Sequence, residues 1–329
     1  MDSFPVTNST LSAFHLGDFV REKYNLGANT TCRLLKNGIN DTYLVSDNAE
    51  KYVFRVYSLD WRTVHEINEE IRLLNLLRQS NIPVSYPIGD TNKNYVNQLN
   101  APEGKRYGVL FSFAKGEKQL NFAAELHYKA GEIMARMHQL TEGVSLDRAI
   151  YTADVVLEHS FEQLKQFLPT SNPEMDFMVS AQKYLLNQFE NFNEDELRCG
   201  AVHLDIWFDN MAIDKQDCIT LFDFDFCGNG WLIYDVAYYI LQLNSTEKDE
   251  EECRLKTDAF LKGYESIAQL TAEEKRIIPI LGVSLYFFYL GIQCQRFDNW
   301  SNTFLNEVYL KRFINLLVKR YFEKNGLGN

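Results

Sequence analysis

The sequence lacks the cysteine spacing of a zinc site or a redox pair. Its six cysteines (Cys32, Cys199, Cys218, Cys227, Cys253 and Cys294) are scattered with no CxxC among them, so reduced thiols are the expectation. It also lacks an excess of positive charge. With 33 Lys and Arg against 45 Asp and Glu, the formal net charge is −12. That argues against nucleic acid, whose binding relies on clustered cations. No internal repeat and no low-complexity tract is present, and the most charged run, STEKDEEE at 245–252, reads as a solvated helix start or loop. The opening stretch MDSFPVTNSTLSAFHLGDF has neither a basic start nor an apolar core, so no secretory signal is expected. Long apolar runs are scarce as well. The one of transmembrane length, residues 277–294, contains Pro279, Gly282, Ser284, Gly291 and Gln293, and a core helix accounts for it better than a lipid span.

What is present suits burial. Apolar residues make up 46% of 329 and aromatics 14%, enough for two lobes and far from the signature of disorder. The texture changes near residue 114. Before it, TCRLLKNGINDTYLVS, EKYVFRVYS and RYGVLFSFA are short, β-rich runs separated by turn residues. One clear helix interrupts them, with Ile67, Ile71, Leu74 and Leu77 at helical spacing. After it, the pattern is mostly helical apart from a hairpin-like run around NMAIDKQDCITLFDFDF. The expected fold class is α+β: an N-lobe over 1–113 with a small antiparallel sheet and one helix, and a larger, mostly helical C-lobe over 114–329.

Two stretches stand out chemically. AVHLDIWFDN (201–210) and LFDFDFCGNG (221–230) place carboxylates inside apolar runs, where burial is costly unless a cation meets them. Phosphoryl transfer from ATP requires a carboxylate near the accepting hydroxyl, ligands for magnesium and a cation on the nucleotide phosphates. Asp205 and Asn210 have the Asp-to-Asn spacing of a protein-kinase catalytic loop, and Asp223 follows where a second metal-binding Asp arrives. An Asn carbonyl oxygen ligates a hard cation without adding charge. The plainer alternative is that HLD and DFD are loop carboxylates held by backbone caps. The ordered set favours the catalytic reading.

From about residue 28 to 320, the sequence resembles the aminoglycoside phosphotransferase and choline kinase superfamily, which is similar in fold to eukaryotic protein kinases. The family's HGDxxxxN stands here as HLDIWFDN, its DFD or DFE with the later yDLA as DFDFCGNGWLIYDVA, and its LaxLH helix end as GEIMARMHQL. The resemblance implies ATP and Mg2+ as cofactors. It also implies a nucleotide-covering hairpin with Gly38 and Asn40 at the turn, Arg55 as the strand cation on the phosphates and Glu70 as its helix partner. Ser112, Phe113 and Ala114 become the hinge whose backbone reads the adenine edge. Asp205 is the implied base, Asn210 and Asp223 hold magnesium, and Asp225 assists the second metal or the substrate. His203 and Asp235 are structural supports, and His138 is a satisfied core histidine. Leu204 departs from the family's common glycine, Trp207 stands where a second histidine is frequent, and Arg55 replaces the more usual lysine point charge.

The acceptor is less legible. The aromatic run Tyr286, Phe287, Phe288, Tyr289, Phe297 and Trp300 either lines a substrate pocket or fills the core, the latter being commoner. LDWRT, FLKGYESI and the terminal aromatic helices are similar to the bacterial stress-response Ser/Thr kinase and homoserine kinase-like branch. The expected function is therefore a cytoplasmic kinase acting on a hydroxyl of a small metabolite or a protein Ser/Thr, with no nucleic acid and no membrane partner. A catalytically silent pseudokinase is the alternative. ATP and GTP are not distinguished, and no oligomeric state is indicated.

Overall fold

The computed structural model describes residues 4–298 and 304–328. The chain divides into two compact units, one running through Lys115 and the other comprising Gly116–Phe297 with the segment from Phe304 onward.

The first unit is built on an antiparallel sheet. Its strands are β1 (Thr31–Asn37), β2 (Asp41–Asp47), β3 (Glu50–Val56), β4 (Pro87–Ile88), β5 (Val96–Ala101) and β6 (Gly104–Ser112). They are ordered β1-β2-β3-β6-β4, with β5 also paired to β6. Two helices accompany the sheet, α1 (Ala13–Tyr24) and α2 (Val64–Gln79), where the sequence predicts one. The missed helix is shorter, 12 residues against 16 in α2, and it buries only Leu16, Gly17 and Val20 while leaving Phe14 exposed, so few apolar positions mark it. By contrast, α2 buries Ile67, Ile71, Leu74 and Leu77 and begins with a capping box between Thr63 and Glu66.

The sheet's polar centre is Arg106, whose side chain is fully buried. It donates to Asp41 Oδ2 at 2.8 Å, to the Tyr57 carbonyl at 2.8 Å and to the Ser9 carbonyl at 2.7 Å. One guanidinium thus ties together the start of β2, the end of β3 and the N-terminal segment. Burial raises the Asp41 carboxyl above its usual range, and Arg106 opposes the shift.

The second unit contains α3 (Ala124–Thr141), α4 (Ser160–Lys165), α5 (Pro173–Glu190), α6 (Ile233–Thr246), α7 (Glu250–Glu265), α8 (Ala272–Gln295), α9 (Glu307–Phe313) and α10 (Arg320–Lys324). Two short antiparallel ribbons lie among them, β7 (Cys199–Val202) with β10 (Gly228–Trp231) and β8 (Met211–Ile213) with β9 (Ile219–Leu221). The β8–β9 ribbon is the hairpin expected there. Helices α3 and α7 approach closely because Gly131 and Gly263 carry no Cβ; one built on Gly131 would lie 2.1 Å from the Phe260 carbonyl oxygen.

Helix α8 is the expected apolar helix. Among the described residues it is the one helix long and apolar enough to cross a membrane, yet most of that run is buried within the protein. Ile277, Leu281, Val283, Leu285 and Leu290 are all fully buried, so a helix apolar on every side serves as the core of its unit. Tyr286, Phe287 and Phe288 are core as well, whereas Phe297 is largely exposed. Trp300 lies outside the described residues.

Buried His127 accompanies this core, bonded through Nδ1 to the Tyr239 hydroxyl at 2.8 Å. Burial, aided by the charge of Lys256, lowers its pKa from 6.5 to about 4.

Two outcomes follow. Arg106→Met strands the Asp41 carboxylate and should destabilise the protein by about 3 kcal/mol, read as a lower denaturation midpoint at unchanged slope. As pH falls from about 6.5 towards 4, the unfolded chain takes up a proton that native His127 refuses, so stability falls by up to about 3 kcal/mol. His127→Gln should flatten that part of the pH–stability curve relative to the unsubstituted protein.

Candidate active site

The 203–210 loop leaves β7 and is held from beneath by one carboxylate. Asp235, in the first turn of α6, accepts the backbone N–H of His203 at 2.9 Å and of Leu204 at 2.6 Å. His138 Nε2 meets the same carboxylate at 3.1 Å, and its Nδ1 meets the Tyr264 hydroxyl at 2.8 Å. His138 is thus a core histidine with both nitrogens partnered. Asp235 takes backbone N–H groups, as its position suggests, but they belong to the loop. His203 is structural too. Its Nδ1 accepts the N–H of Asp205 at 3.2 Å, which leaves the ring proton on Nε2 to donate to the Phe222 carbonyl at 3.1 Å. Burial keeps its pKa below the ordinary range, so the ring serves as a neutral brace.

Leu204 explains why a glycine is common at its place. Its φ is +66°, a left-handed conformation that is strained for a bulky residue. Three features offset the strain: complete burial of the side chain, the bond from its N–H to Asp235, and a hydrogen bond of 2.6 Å from the Tyr289 hydroxyl to its carbonyl.

Asp205 is set among donors. Asn210 Nδ2 donates to its Oδ2 at 2.8 Å and to its carbonyl at 2.9 Å, and the Tyr289 hydroxyl donates to Oδ1 at 3.2 Å. Burial first, and then the charge of Asp223, push its pKa up to about 8, while hydrogen bonds from Tyr238, Tyr289 and Asn210 pull it down. The donor geometry therefore favours the carboxylate, and the nearby charge of Asp223 opposes it. Neutralising Asp223 would remove the second of the two causes and lower the Asp205 pKa, while burial, the larger cause, would remain.

Asn210 and Asp223 are brought side by side by the backbone, since the N–H of Phe222 donates to the Asn210 carbonyl at 3.0 Å. Asn210 spends its amide nitrogen on Asp205. Its side-chain oxygen makes no hydrogen bond among the described residues and is the atom left for a cation. Asp223 has a φ of +66°, which an Asp tolerates better than most residues. Asp225 is buried in the single turn Phe224–Phe226, where Arg148 donates to its carbonyl. No group of three or more His, Cys, Asp or Glu is gathered for a metal among the described residues. A neutral carbonyl oxygen beside carboxylates suits a hard cation that keeps waters and takes its other ligands from a phosphorylated substrate.

In the first unit, Arg55 Nη1 donates to Glu70 Oε1 at 2.8 Å. Glu70 is fully buried and also accepts from the Tyr57 hydroxyl at 2.9 Å. Arg55 lies over the Phe111 ring, 5.0 Å from its centroid. Neither residue is part of a solvated face, whereas Glu66 caps α2 and Glu69 pairs with Arg72. At the β1–β2 turn, Asn40 Oδ1 accepts the N–H of Ser58 at 3.2 Å, and Gly38 N–H donates to the Asn40 carbonyl at 3.2 Å. Asn40 therefore shapes the turn. Ser112 is committed to the sheet, because its N–H donates to the Tyr86 carbonyl at 2.9 Å and its carbonyl accepts from the Ser85 hydroxyl at 2.5 Å. Phe113 and Ala114 follow the end of β6. Gly116, with φ at +108°, takes a conformation that a side chain would obstruct against Ile213.

Tyr238 escapes a sequence reading, and Tyr289 is legible only as pocket or core, because both stand inside apolar helical runs, where an aromatic residue signals core. The only sequence signal is a hydroxyl in such a run, which must find a partner when buried.

Residues 31–270 match the model of the phosphotransferase enzyme family. A protein of Synechocystis sp., itself uncharacterized, is 30% identical over 94% of this chain and 86% of its own. A homoserine kinase of Polaromonas naphthalenivorans is 26% identical over 78% of this chain and 79% of its own. Among solved structures, a microcompartment-associated aminopropanol kinase superposes with a TM-score of 0.77 at 21% identity, covering 95% of this chain and 98% of that one. An amicoumacin kinase in complex with AMP-PNP, Ca2+ and Ami gives 0.75 at 20% identity, with 93% of each chain covered. At those identities the likeness is one of fold.

Tyr289→Phe removes the bonds to Leu204 and Asp205 while keeping the ring. It should cost about 1 kcal/mol of stability, measured by chemical denaturation.

Proposed function

The chain belongs to the phosphotransferase enzyme family, and from that premise we propose that it transfers the γ-phosphoryl group of ATP to a hydroxyl of a small metabolite in the cytoplasm. The arrangement of Asn210 carries this reading. Its amide nitrogen orients Asp205, and its unspent carbonyl oxygen stands ready for a cation beside Asp223.

Asp205 receives the acceptor hydroxyl, orients it for in-line attack and takes its proton. Tyr289, Tyr238 and Asn210 hold that carboxylate in place, and Asp235 holds the loop that presents it. Asn210 and Asp223 hold Mg2+, with Asp225 in support; the ion supplies charge neutralisation on the phosphates when bound. Arg55, steadied by Glu70 and Tyr57, grips the phosphate oxygens with its planar fork. Gly38 and Asn40 set the turn that covers the phosphates. The main chain of Phe113 and Ala114 reads the adenine edge, a task for which Ser112 has already spent its N–H. Most of the rate enhancement comes from positioning and charge. The small-molecule acceptor is supported by the relatives, whose names are homoserine kinase and aminopropanol kinase. A protein Ser/Thr acceptor has no such support.

The test is ATP consumption with magnesium against amino alcohols, sugars, aminoglycosides and a generic Ser/Thr protein. One class of small alcohol should turn over, and Asp205→Asn should lower kcat by at least about a thousandfold. Full turnover in that variant would reject the assignment of the base. If no acceptor is phosphorylated while MgATP still raises the melting temperature, the protein is a nucleotide-binding module without activity.

A further inference from the structure

The second unit carries a cavity of about 650 Å³ to which the proposed reaction assigns no role. It is built around the β7–β10 ribbon, with Cys199 and Gly200 of β7 and Asn229, Gly230 and Trp231 of β10 on its wall. These residues occupy the far end of β7 from His203. The C-terminal end of α5 and the 150–153 segment close other sides.

Its lining combines two features. One is aromatic and apolar: Tyr151, Phe189 and Trp231 face the cavity, and Trp231 is fixed by Phe189 at 5.7 Å, Phe192 at 5.5 Å and a stacked Tyr234 at 5.8 Å between ring centroids. The other is acidic. Glu158, Glu190 and Glu194 line it, and no Lys, Arg or His does. None of the three glutamates forms an ion pair among the described residues, although this chain pairs many of its surface carboxylates with Lys or Arg. The negative charge of Glu194 reaches into the cavity, where it adds to burial in raising the Cys199 thiol pKa.

A partly open apolar cavity rimmed by exposed carboxylates, with no cation in its lining, selects by charge and by shape. A neutral apolar molecule gains nothing from the three glutamates, and an anion is repelled by them. An organic cation with an apolar body satisfies both features, its ammonium meeting the carboxylates and the Trp231 face while its body fills the cavity. We propose that this cavity is a binding site for an organic ammonium ion bearing an apolar or aromatic body, separate from the catalytic loop.

The site is mechanically tied to the loop carrying the metal ligands. Tyr151 donates its hydroxyl to the Phe226 carbonyl, its N–H donates to the Asn229 carbonyl at 2.8 Å, and Arg148 donates to the Asp225 carbonyl. Asn229 in turn bonds Leu146 in both directions, at 2.7 and 2.8 Å. A ligand against Tyr151 therefore touches the segment that fixes the carbonyls of Asp225 and Phe226.

Two exposed cysteines allow a test that needs no activity. Cys199 lines the cavity, and Cys218, on the β8–β9 turn, does not. With tryptamine as the probe, alkylation at each cysteine is followed by peptide mass spectrometry. Millimolar tryptamine should slow Cys199 about fivefold and leave Cys218 unchanged, and tryptophol, its neutral counterpart, should protect far less. The triple variant Glu158→Gln, Glu190→Gln, Glu194→Gln should lose the protection while retaining the melting transition. Asp205→Asn should keep it, which separates this site from the catalytic one. Equal protection by tryptophol, or none by tryptamine at millimolar concentration, would overturn the proposal.

Discussion

The second unit depends on a single buried carboxylate. Asp235 is fully buried, and leaving it unsatisfied would cost several kcal/mol. The two loop amides and His138 meet it. The chain of partners continues outward from His138 to the Tyr264 hydroxyl, from there to Arg198 Nη2 at 3.2 Å, and from Arg198 to both oxygens of Glu274 at 2.9 Å. Glu274 also completes the capping box that starts α8. The loop holding Asp205, the helix end at His138 and the start of the core helix are thus joined by consecutive hydrogen bonds. Each bond is modest by itself, but losing any member strands its neighbours.

Two residues of the site, Leu204 and Asp223, are left-handed, and the first donates its N–H to that carboxylate. Leu204 immediately precedes Asp205. A backbone bent this way presents Asp223 close enough for its charge to act on Asp205, and such conformations persist only where the surroundings over-determine them. Asp235 on one side of Leu204 and Tyr289 on the other supply that restraint.

Much of this was legible in the sequence, for physical reasons. Asp205, Asn210 and Asp223 stand in an order and spacing that few structural alternatives require, and the chain brings Asn210 onto Asp205 and Asp223 within reach of its charge. Arg55 and Glu70 were found through family resemblance and form a buried pair. Helix α1 was missed because it is short and buries only three residues. Tyr238 was missed, and Tyr289 was read only as pocket or core, because an apolar run hides a hydroxyl that bonds Asp205. Arg106 was missed because a lone arginine in a strand gives no sign of being the centre of a sheet.

The placement of Tyr289 has a consequence for synthesis. The loop at 203–210 receives its last hydrogen bonds from a residue 85 positions beyond Leu204, on a helix that is itself mostly buried. A chain emerging from the ribosome can fold its first unit early, as domains generally do. The Asp205 carboxylate gains its full set of donors only after α8 has emerged and packed. Truncated or stalled chains therefore carry the recognisable motif without the geometry that would let it act.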